Sequence, residues 1–269
     1  MSELTTELAA AEAARLDQAE QQRTQVSQTT LNHDNLTLDD AYRIQAQWQK
    51  LRLDRGETMV GHKIGLTSRA MQAAMNIDTP DSGFLTDAMT FEGGAELEAE
   101  RFSDPKLEVE LAFVLGQDLD RPDHTIGDVL NATDYVVPAL ELIAARSHRR
   151  DPETGRTRTV VDTIADNAAN AAIITGGHKV KPTEVDLRWS AALLYRNGVV
   201  EETGVAAGVL DHPATGIAWL ARRYAEQNMR LEAGQIILAG SFTRPVDIRP
   251  GDHFVADYNN LGSFEVRFT

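Results

Sequence analysis

Apolar residues recur at helical spacing in the first part of the chain. In the clearest segment they stand at Leu38, Ala41, Ile44, Trp48 and Leu51. Thr37 fits the N-cap of this helix and Gly56 ends it. Residues 7–24 are rich in Ala, Glu, Gln, Leu and Arg, which predicts an earlier surface helix with few apolar anchors. Residues 1–57 are therefore expected to form a helical region that covers a sheet.

Beyond residue 58 the pattern changes to short apolar runs broken by Gly, Pro, Asp and Asn, which is typical of strands joined by turns. The predicted strands are 59–65, 107–115, 133–144, 188–195, 199–202, 235–239, 253–258 and 263–268. Asn197-Gly198 predicts a two-residue hairpin turn, because both residues tolerate a positive φ.

One late helix interrupts the strands. Asp211 can cap it, Pro213 suits its first turn, and Ile217, Trp219 and Leu220 supply a buried side. The segment from Ser147 to Arg158 is polar, which predicts a mobile loop or lid. The pattern predicts an α+β fold, formed by residues 1–269 as a single domain.

Composition narrows the classes of partner. A formal charge of −15 opposes nucleic acid and anionic lipid, and no apolar run approaches the length of a membrane span. The chain has no cysteine, so disulfides, thiolate nucleophiles and sulfur-ligated metals are excluded. The start of the chain lacks the pattern of a secretory signal, so a cytoplasmic location is expected.

Two glutamates alternate along the strand predicted at 107–115. Glu108 and Glu110 share one face, which Ala112 and Val114 continue as apolar. A solvated strand end would explain this pair equally well. Glu141 favours a functional site over a solvated strand end. It lies within an apolar run, where burial of an isolated, ionised carboxylate costs several kcal/mol unless the group is paired.

Three carboxylates without a histidine or cysteine partner suit a hard, oxygen-preferring ion, Mg²⁺ or Mn²⁺. An ion pair between Glu141 and an arginine or lysine is the alternative. Zinc is not expected, since the seven histidines show no ligand spacing. The chain has no G-x-S-x-G elbow, P-loop or G-x-G-x-x-G motif.

Several short segments, in one order along nearly the whole chain, resemble the fumarylacetoacetate hydrolase superfamily, and specifically its hydratase/decarboxylase branch. They are Gly61-His62-Lys63-Ile64-Gly65-Leu66-Thr67-Ser68, Pro80-Asp81-Ser82-Gly83, Glu108-x-Glu110, Pro138-Ala139-Leu140-Glu141, Asp162-Thr163-Ile164-Ala165-Asp166-Asn167-Ala168-Ala169, Gly204-Val205-Ala206-Ala207-Gly208-Val209-Leu210, Leu231-Glu232-Ala233-Gly234-Gln235-Ile236-Ile237-Leu238 and Gly240-Ser241-Phe242-Thr243.

The resemblance implies a mixed β-roll or sandwich core with flanking helices and a homo-oligomer, with a decamer as the assembly to test. It implies metal binding by the residues that match the family's carboxylate triad, which are Glu108, Glu110 and Glu141. Lys63 and Asp81 match positions tied to catalysis. Ser241 and Thr243 match a segment that holds the substrate carboxylate.

The resemblance also implies a hydro-lyase that acts on a small 2-oxo dicarboxylic acid. A decarboxylase of 2-oxo-3-enedioates and a hydratase of the five-carbon monoacid are the nearest alternatives. A C–C bond hydrolase is less favoured, because no His–Glu pair can be assigned as its base. A catalytically silent cation-binding protein would not need Lys63 and Asp81. For the distal carboxylate of a dioate, the candidates are Arg146 and His148, which follow the strand of Glu141.

Overall fold

The computed structural model describes residues 4–69, 72–73 and 77–269. The helices of these ranges are α1 Thr6–Gln22, α2 Thr29–Asn32, α3 Leu38–Asp54, α4 Ile126–Ala132, α5 Val160–Ala165 and α6 Thr215–Ala225. The strands are β1 Met59–Gly65, β2 Asp81–Thr86, β3 Thr90–Glu92, β4 Glu96–Leu97, β5 Lys106–Leu115, β6 Thr133–Ile143, β7 Asn170–Thr175, β8 Ala191–Arg196, β9 Val199–Val205, β10 Ile236–Leu238, β11 Val246–Asp247, β12 His253–Asp257 and β13 Ser263–Phe268.

The strands form two mixed sheets, and the helices flank them, in agreement with the predicted α+β class. The larger sheet has the order β2-β1-β10-β5-β6-β7-β3, and β11 pairs with β5. The smaller sheet has the order β4-β13-β12-β8-β9. Most neighbours are antiparallel, but three pairs are parallel: β1 with β10, β3 with β7, and β4 with β13.

The long strand β5 separates two apolar clusters by the alternation of its side chains. Val109 and Leu111 pack in a cluster that also contains Phe254 and Val266 of the smaller sheet. Ala112, on the opposite face, packs in a second cluster with residues of α1 and α3. Because side chains two residues apart share a face of a strand, Glu108 and Glu110 lie on the face of Ala112. The helical region therefore covers the face that carries the glutamates.

Helix α3 matches its prediction closely. Thr37 accepts a hydrogen bond from the Asp40 backbone N–H, and the Asp40 side chain accepts from the Thr37 N–H, which completes a capping box. Gly56 follows the helix with a φ of 100°. Helix α1 is buried more deeply than expected, since small side chains let one face pack closely. Its buried apolar residues are Ala9, Ala13, Leu16 and Ala19.

Three other predictions need correction. Strands β2 and β7 were not predicted, because Gly, Asp and Asn within them resemble turn residues. The late helix begins at Thr215 rather than near Asp211, which has a φ of 68° and lies outside the helix. The strand predicted at 188–195 begins at Ala191, after a short 3₁₀ turn at Leu187–Trp189.

Two connections have well-defined internal contacts. At the β8–β9 hairpin, Asn197 and Gly198 have φ values of 53° and 82°, which confirms the two-residue turn. The segment 147–158 was predicted as a mobile loop or lid. It forms a hairpin in which Arg150 bridges Thr157, and the Asp151 carboxylate accepts hydrogen bonds from the backbone of Glu153 and Thr154. Among the described helices, none is long and apolar enough to cross a membrane.

Candidate active site and metal centre

Adjacent strands of the larger sheet bring the predicted carboxylates together. Strand β5 supplies Glu108 and Glu110, and β6 supplies Glu141. The β5–β6 register sets Glu108 directly opposite Glu141. Strand β10 separates β5 from β1, the strand that carries Lys63. The site is therefore built on regular, hydrogen-bonded strands rather than on loops.

The three glutamates form a compact cluster. One carboxylate oxygen from each of Glu108, Glu110 and Glu141 lies within 4.8 Å of the others. Glu110 and Glu141 are each 1% exposed, and Glu108 is half-buried. The Lys63 ammonium nitrogen, also buried, lies 3.5 Å from Oε1 of Glu141. The expected alternative, an ion pair of Glu141 with a lysine, is thus present together with the carboxylate cluster.

The charges of this cluster do not balance. Burial and the nearby Glu141 raise the pKa of Glu108 to about 8. Burial, Glu141 and Glu108 raise the pKa of Glu110 well above its ordinary value. Burial alone would lower the pKa of Lys63, but the surrounding carboxylates, Glu141 foremost, hold it above the ordinary lysine value. One lysine cannot offset several buried carboxylates.

The same chemistry fits a divalent cation. Hard ions such as Mg²⁺ prefer carboxylate oxygens and are bound by few protein ligands, so that positions stay open for water and substrate. A cation among these oxygens would favour the ionised glutamates and remove the cause of their raised pKa values. The residues present therefore fit Mg²⁺ or Mn²⁺.

Two neighbours orient the carboxylates. The Asn170 side-chain amide donates to Oε1 of Glu141 at 2.5 Å. The Gly240 backbone N–H donates to Oε2 of Glu110 at 2.8 Å.

Asn170 begins β7 directly after Asn167, Ala168 and Ala169, which have φ values of 52°, 49° and 60°. Consecutive left-handed non-glycine residues are strained and are found where a functional geometry requires them.

Asp81 and Lys63 lie on antiparallel neighbours at the end of the β1–β2 pair. Asp81 pairs with Gly65, and it is 2% exposed. Its Oδ1 is buried without a hydrogen-bond partner among the described residues. A Cβ on Gly65 would collide with that oxygen and would lie 2.9 Å from Nζ of Lys63. Glycine at position 65 thus preserves the space between the two predicted catalytic side chains.

Ser241 and Thr243 belong to a half-buried segment after β10. The Ser241 hydroxyl donates to the Thr243 carbonyl at 2.9 Å, and the Thr243 hydroxyl accepts from the Val109 N–H at 3.2 Å. Gly240, next to Ser241, binds Glu110 as described above. The segment is therefore adjacent to the glutamate cluster, but its assignment to the substrate carboxylate stays a prediction.

Arg146 is fully engaged within the protein. Its Nε and NH2 donate to the side chain and carbonyl of Asp166, each at 2.6 Å, and NH1 donates to the Asn170 carbonyl at 2.9 Å. The guanidinium is buried and stacks over the Trp48 ring, 4.6 Å from its centroid. This set of contacts makes Arg146 a weaker candidate for binding the distal substrate carboxylate, because each guanidinium nitrogen already donates to a protein oxygen.

His148 is half-buried, and its backbone N–H donates to the Val26 carbonyl at 3.0 Å. Its backbone carbonyl accepts from the Gln28 side chain at 3.1 Å. These contacts anchor the main chain at the start of the 147–158 hairpin. A substrate-binding role for the imidazole stays a prediction.

Sequence reasoning missed several supporting groups. Asn170 carries no motif that distinguishes it from other asparagines, and a backbone N–H such as that of Gly240 leaves no trace in the side-chain pattern. Tyr258 was also missed: its hydroxyl lies 2.8 Å and 2.6 Å from the carbonyls of Glu110 and Ala139. Only the tertiary structure shows that these groups surround the site.

Comparison with known proteins gives the family. Residues 56–269 match the family described as fumarylacetoacetate (FAA) hydrolase C-terminal. The chain is 59% identical over 256 residues to a 2-oxo-hept-4-ene-1,7-dioate hydratase of Escherichia coli, which covers 95% of this chain and 96% of that protein. It is 36% identical to a 4-oxalocrotonate decarboxylase of Pseudomonas putida, over 98% of both chains.

Solved structures agree. The 4-oxalocrotonate decarboxylase from Pseudomonas putida G7, complexed with magnesium and adipate, superposes with a TM-score of 0.94 at 35% identity and covers 99% of both chains. The same enzyme complexed with calcium and acetate gives a TM-score of 0.93, also at 35% identity and 99% coverage of both chains. The family match extends over most of the chain, and both relatives align along nearly their whole length. This chain is a member of the fumarylacetoacetate hydrolase family.

Proposed function

We propose that the protein is a divalent-metal-dependent hydratase that converts 2-oxohept-4-ene-1,7-dioate, through its 2-hydroxy-2,4-dienedioate form, into 4-hydroxy-2-oxoheptanedioate. The observation that carries this proposal is the 59% identity, over 95% of the chain, to the Escherichia coli hydratase of that substrate. The buried cluster of Glu108, Glu110, Glu141, Lys63 and Asp81 supports the same class of reaction.

The metal would be held by Glu108, Glu110 and Glu141, with Mg²⁺ as the first candidate and Mn²⁺ as the second. When bound, such an ion supplies Lewis-acid polarisation of the 2-oxo group and offsets the negative charge of the substrate. Asn170 and Gly240 would hold two of the ligand carboxylates in place. Magnesium in the related decarboxylase is consistent with this assignment.

Lys63 is proposed to stabilise negative charge on the substrate oxygens. Its raised pKa keeps the ammonium protonated, so it can donate to the C2 oxygen or to the C1 carboxylate. Ser241 and Thr243, beside the cluster, are proposed to bind that carboxylate through hydroxyl groups. Together these groups would fix the reacting end of the substrate.

Asp81 is proposed to move the proton. Burial raises the pKa of its carboxyl, and Oδ1 has no hydrogen-bond partner among the described residues, so the group can hold a proton and deliver it. Protonation of the dienol at C5, with loss of the 2-hydroxyl proton back to the Asp81 carboxylate, gives a 2-oxo-3-enoate. Water then adds at C4, C3 takes a proton, and the product gains one water in total.

The proposal also covers the pathway, the cellular location, the assembly and the domain organisation. The substrate is an intermediate of homoprotocatechuate catabolism, and we infer a cytoplasmic homo-oligomer for which a decamer should be tested by sedimentation. The organisation of residues 1–269 as one domain is likewise proposed. It is supported by the apolar cluster that α1 and α3 share with β2, β5, β6 and β7.

The deciding experiment is incubation with freshly generated dienol, with and without EDTA, followed by mass spectrometry. The expected product is the hydrate, formed only when the metal is present. A 2-oxo-3-enedioate should be offered in parallel, because the decarboxylases that align with this chain share its fold. Release of CO₂ from that compound, without hydration of the heptadienedioate, would make the protein a decarboxylase.

A further inference from the structure

Arg158 is a half-buried arginine at the end of the 147–158 hairpin. Its backbone N–H donates to the Arg149 carbonyl at 2.8 Å, which fixes the main chain. Its guanidinium makes one hydrogen bond, from NH1 to the Ser147 carbonyl at 3.3 Å. No ion pair joins it to a carboxylate within the described ranges. Nε and NH2 of a partly desolvated cation are therefore left to other partners.

The contrast with Arg146 is direct, because both arginines flank the same hairpin. Arg146 is surrounded by Asp166, Asn170 and Glu20. Burial lowers the pKa of Arg158, and of its charged neighbours Asp166 opposes that change most strongly. Neither Asp166 nor Asp162 forms an ion pair with Arg158, however, since both are already engaged: Asp166 with Arg146 and Ser147, and Asp162 with Thr30 and Thr159.

A chain of contacts joins Arg158 to the site. Its partner Ser147 donates to Asp166, and Arg146 links Asp166 to Asn170, which donates to Glu141. Burial raises the pKa of Asp81, Lys63 lowers it most strongly, and Arg158 lowers it more weakly. The hairpin leads directly into Thr159 and α5, and α5 leads into the left-handed turn and Asn170. Arg158 therefore lies beside the site but outside the glutamate cluster.

We propose that Arg158 binds the distal carboxylate of the substrate and so selects a dicarboxylic acid over a monoacid. This inference rests on the proposed function. A dianion is repelled by a protein of charge −15 unless a local cation offsets the field. A guanidinium can receive a carboxylate through two parallel hydrogen bonds, which suits a group with two free donors.

Binding of two unreactive probes tests the inference without turnover. 2-Oxoheptanedioate and 2-oxoheptanoate lack the double bond and differ only in the distal carboxylate. Calorimetry of the Mg²⁺-loaded wild type should show at least about tenfold tighter binding of the dioate, the scale of a charge-assisted hydrogen bond. In Arg158→Ala that preference should disappear, and Arg158→Lys should restore part of it.

Arg149→Ala is the matched control, because it removes the same charge from an exposed position of the same hairpin. It should keep the wild-type preference. Equal weakening of both probes in Arg158→Ala, or a loss of preference in Arg149→Ala, would overturn the role of Arg158. If the wild type prefers the dioate probe but fails to hydrate the dienol, the proposed function would be contradicted. The role of Arg158 in binding the distal carboxylate would then still stand.

Discussion

Two clusters of buried charged residues, one around Arg146 and the other around Lys63, differ in whether their charges balance. Around Arg146 the guanidinium, the Asp166 carboxylate and the Ser147 hydroxyl satisfy one another. Around Lys63 the carboxylates outnumber the cations, and the pKa values of Glu108, Glu110 and Asp81 are all raised. A balanced cluster stabilises the fold, whereas an unbalanced one needs a ligand. The predictions below test this difference, in order of decreasing effect.

Loss of one metal ligand should have the largest effect. Glu141→Gln, Glu110→Gln and Glu108→Gln should each lower kcat at least about a hundredfold, the scale of removing one charge-stabilising group from a site. The apo Glu108→Gln and Glu110→Gln variants should unfold at or above the wild-type temperature, because one of several repelling charges is gone. Glu201→Gln, at an exposed position of β9, is the control. EDTA-insensitive activity in any two variants would contradict the metal site.

Lys63→Ala and Asp81→Ala should lower kcat by roughly 10²–10⁴-fold, the range for positioned proton-transfer groups. Mn²⁺ binding, followed by electron paramagnetic resonance, should persist in both, because neither side chain is assigned as a ligand. A change restricted to KM would mean that these groups only bind the substrate.

Arg146→Ala should act on stability. Removal of one partner from a buried ion pair costs about 3–5 kcal/mol, since Asp166 would keep an uncompensated charge. Chemical denaturation should show this loss, with Arg149→Ala within about 0.5 kcal/mol of the wild type. A stable Arg146→Ala variant that no longer distinguishes dioate from monoacid would return the distal-carboxylate role to Arg146.

The unbalanced cluster also predicts a pH dependence of the apo protein. The pKa of Glu108 rises from 4.5 to about 8 on folding, so the native state binds more protons than the unfolded state between these values. Stability of the apo protein should therefore fall as pH rises from about 4.5 to about 8. The raised pKa of Lys63 adds no slope there, because that group is protonated in both states. Melting temperatures in EDTA and in Mg²⁺ should diverge with rising pH, and parallel curves would contradict the coupling.

Alternation and burial were sufficient to predict part of the site. Glu108 and Glu110 share a face because a strand has a period of two, and the apolar run around Glu141 indicated burial. Sequence could not give the register that sets Glu108 against Glu141, because strand pairing joins distant segments. It also could not separate Arg146 from Arg158. Both are arginines beside one polar segment, and only the positions of Asp166 and Asn170 show which of them is already paired.

The secondary structure also divides into elements that the local sequence predicts and elements that it does not. Helix α3 was predicted with its cap, because Thr37 and Asp40 act within one turn. Strand β2 was missed, because Asp81, Ser82 and Gly83 are residues that local propensity assigns to turns. Burial of β2 between β1 and the helices overrides that propensity. Local signals therefore sufficed where the stabilising contacts are local.

The parallel pairing of β1 with β10 joins Gly61 to Ile236, residues from opposite parts of the chain. Pairings of this kind raise contact order and slow folding, since a long loop must close before the contacts form. Lys63 and Gly240 consequently meet the glutamates only after almost all of the polypeptide has been synthesised. We expect Mg²⁺ to slow unfolding and to leave the refolding rate unchanged, because a site that joins such distant segments is expected to form after the transition state. Stopped-flow measurements that showed faster refolding in Mg²⁺ would place its assembly early. The carboxylates of the folding chain would then bind the cation before the sheet is complete.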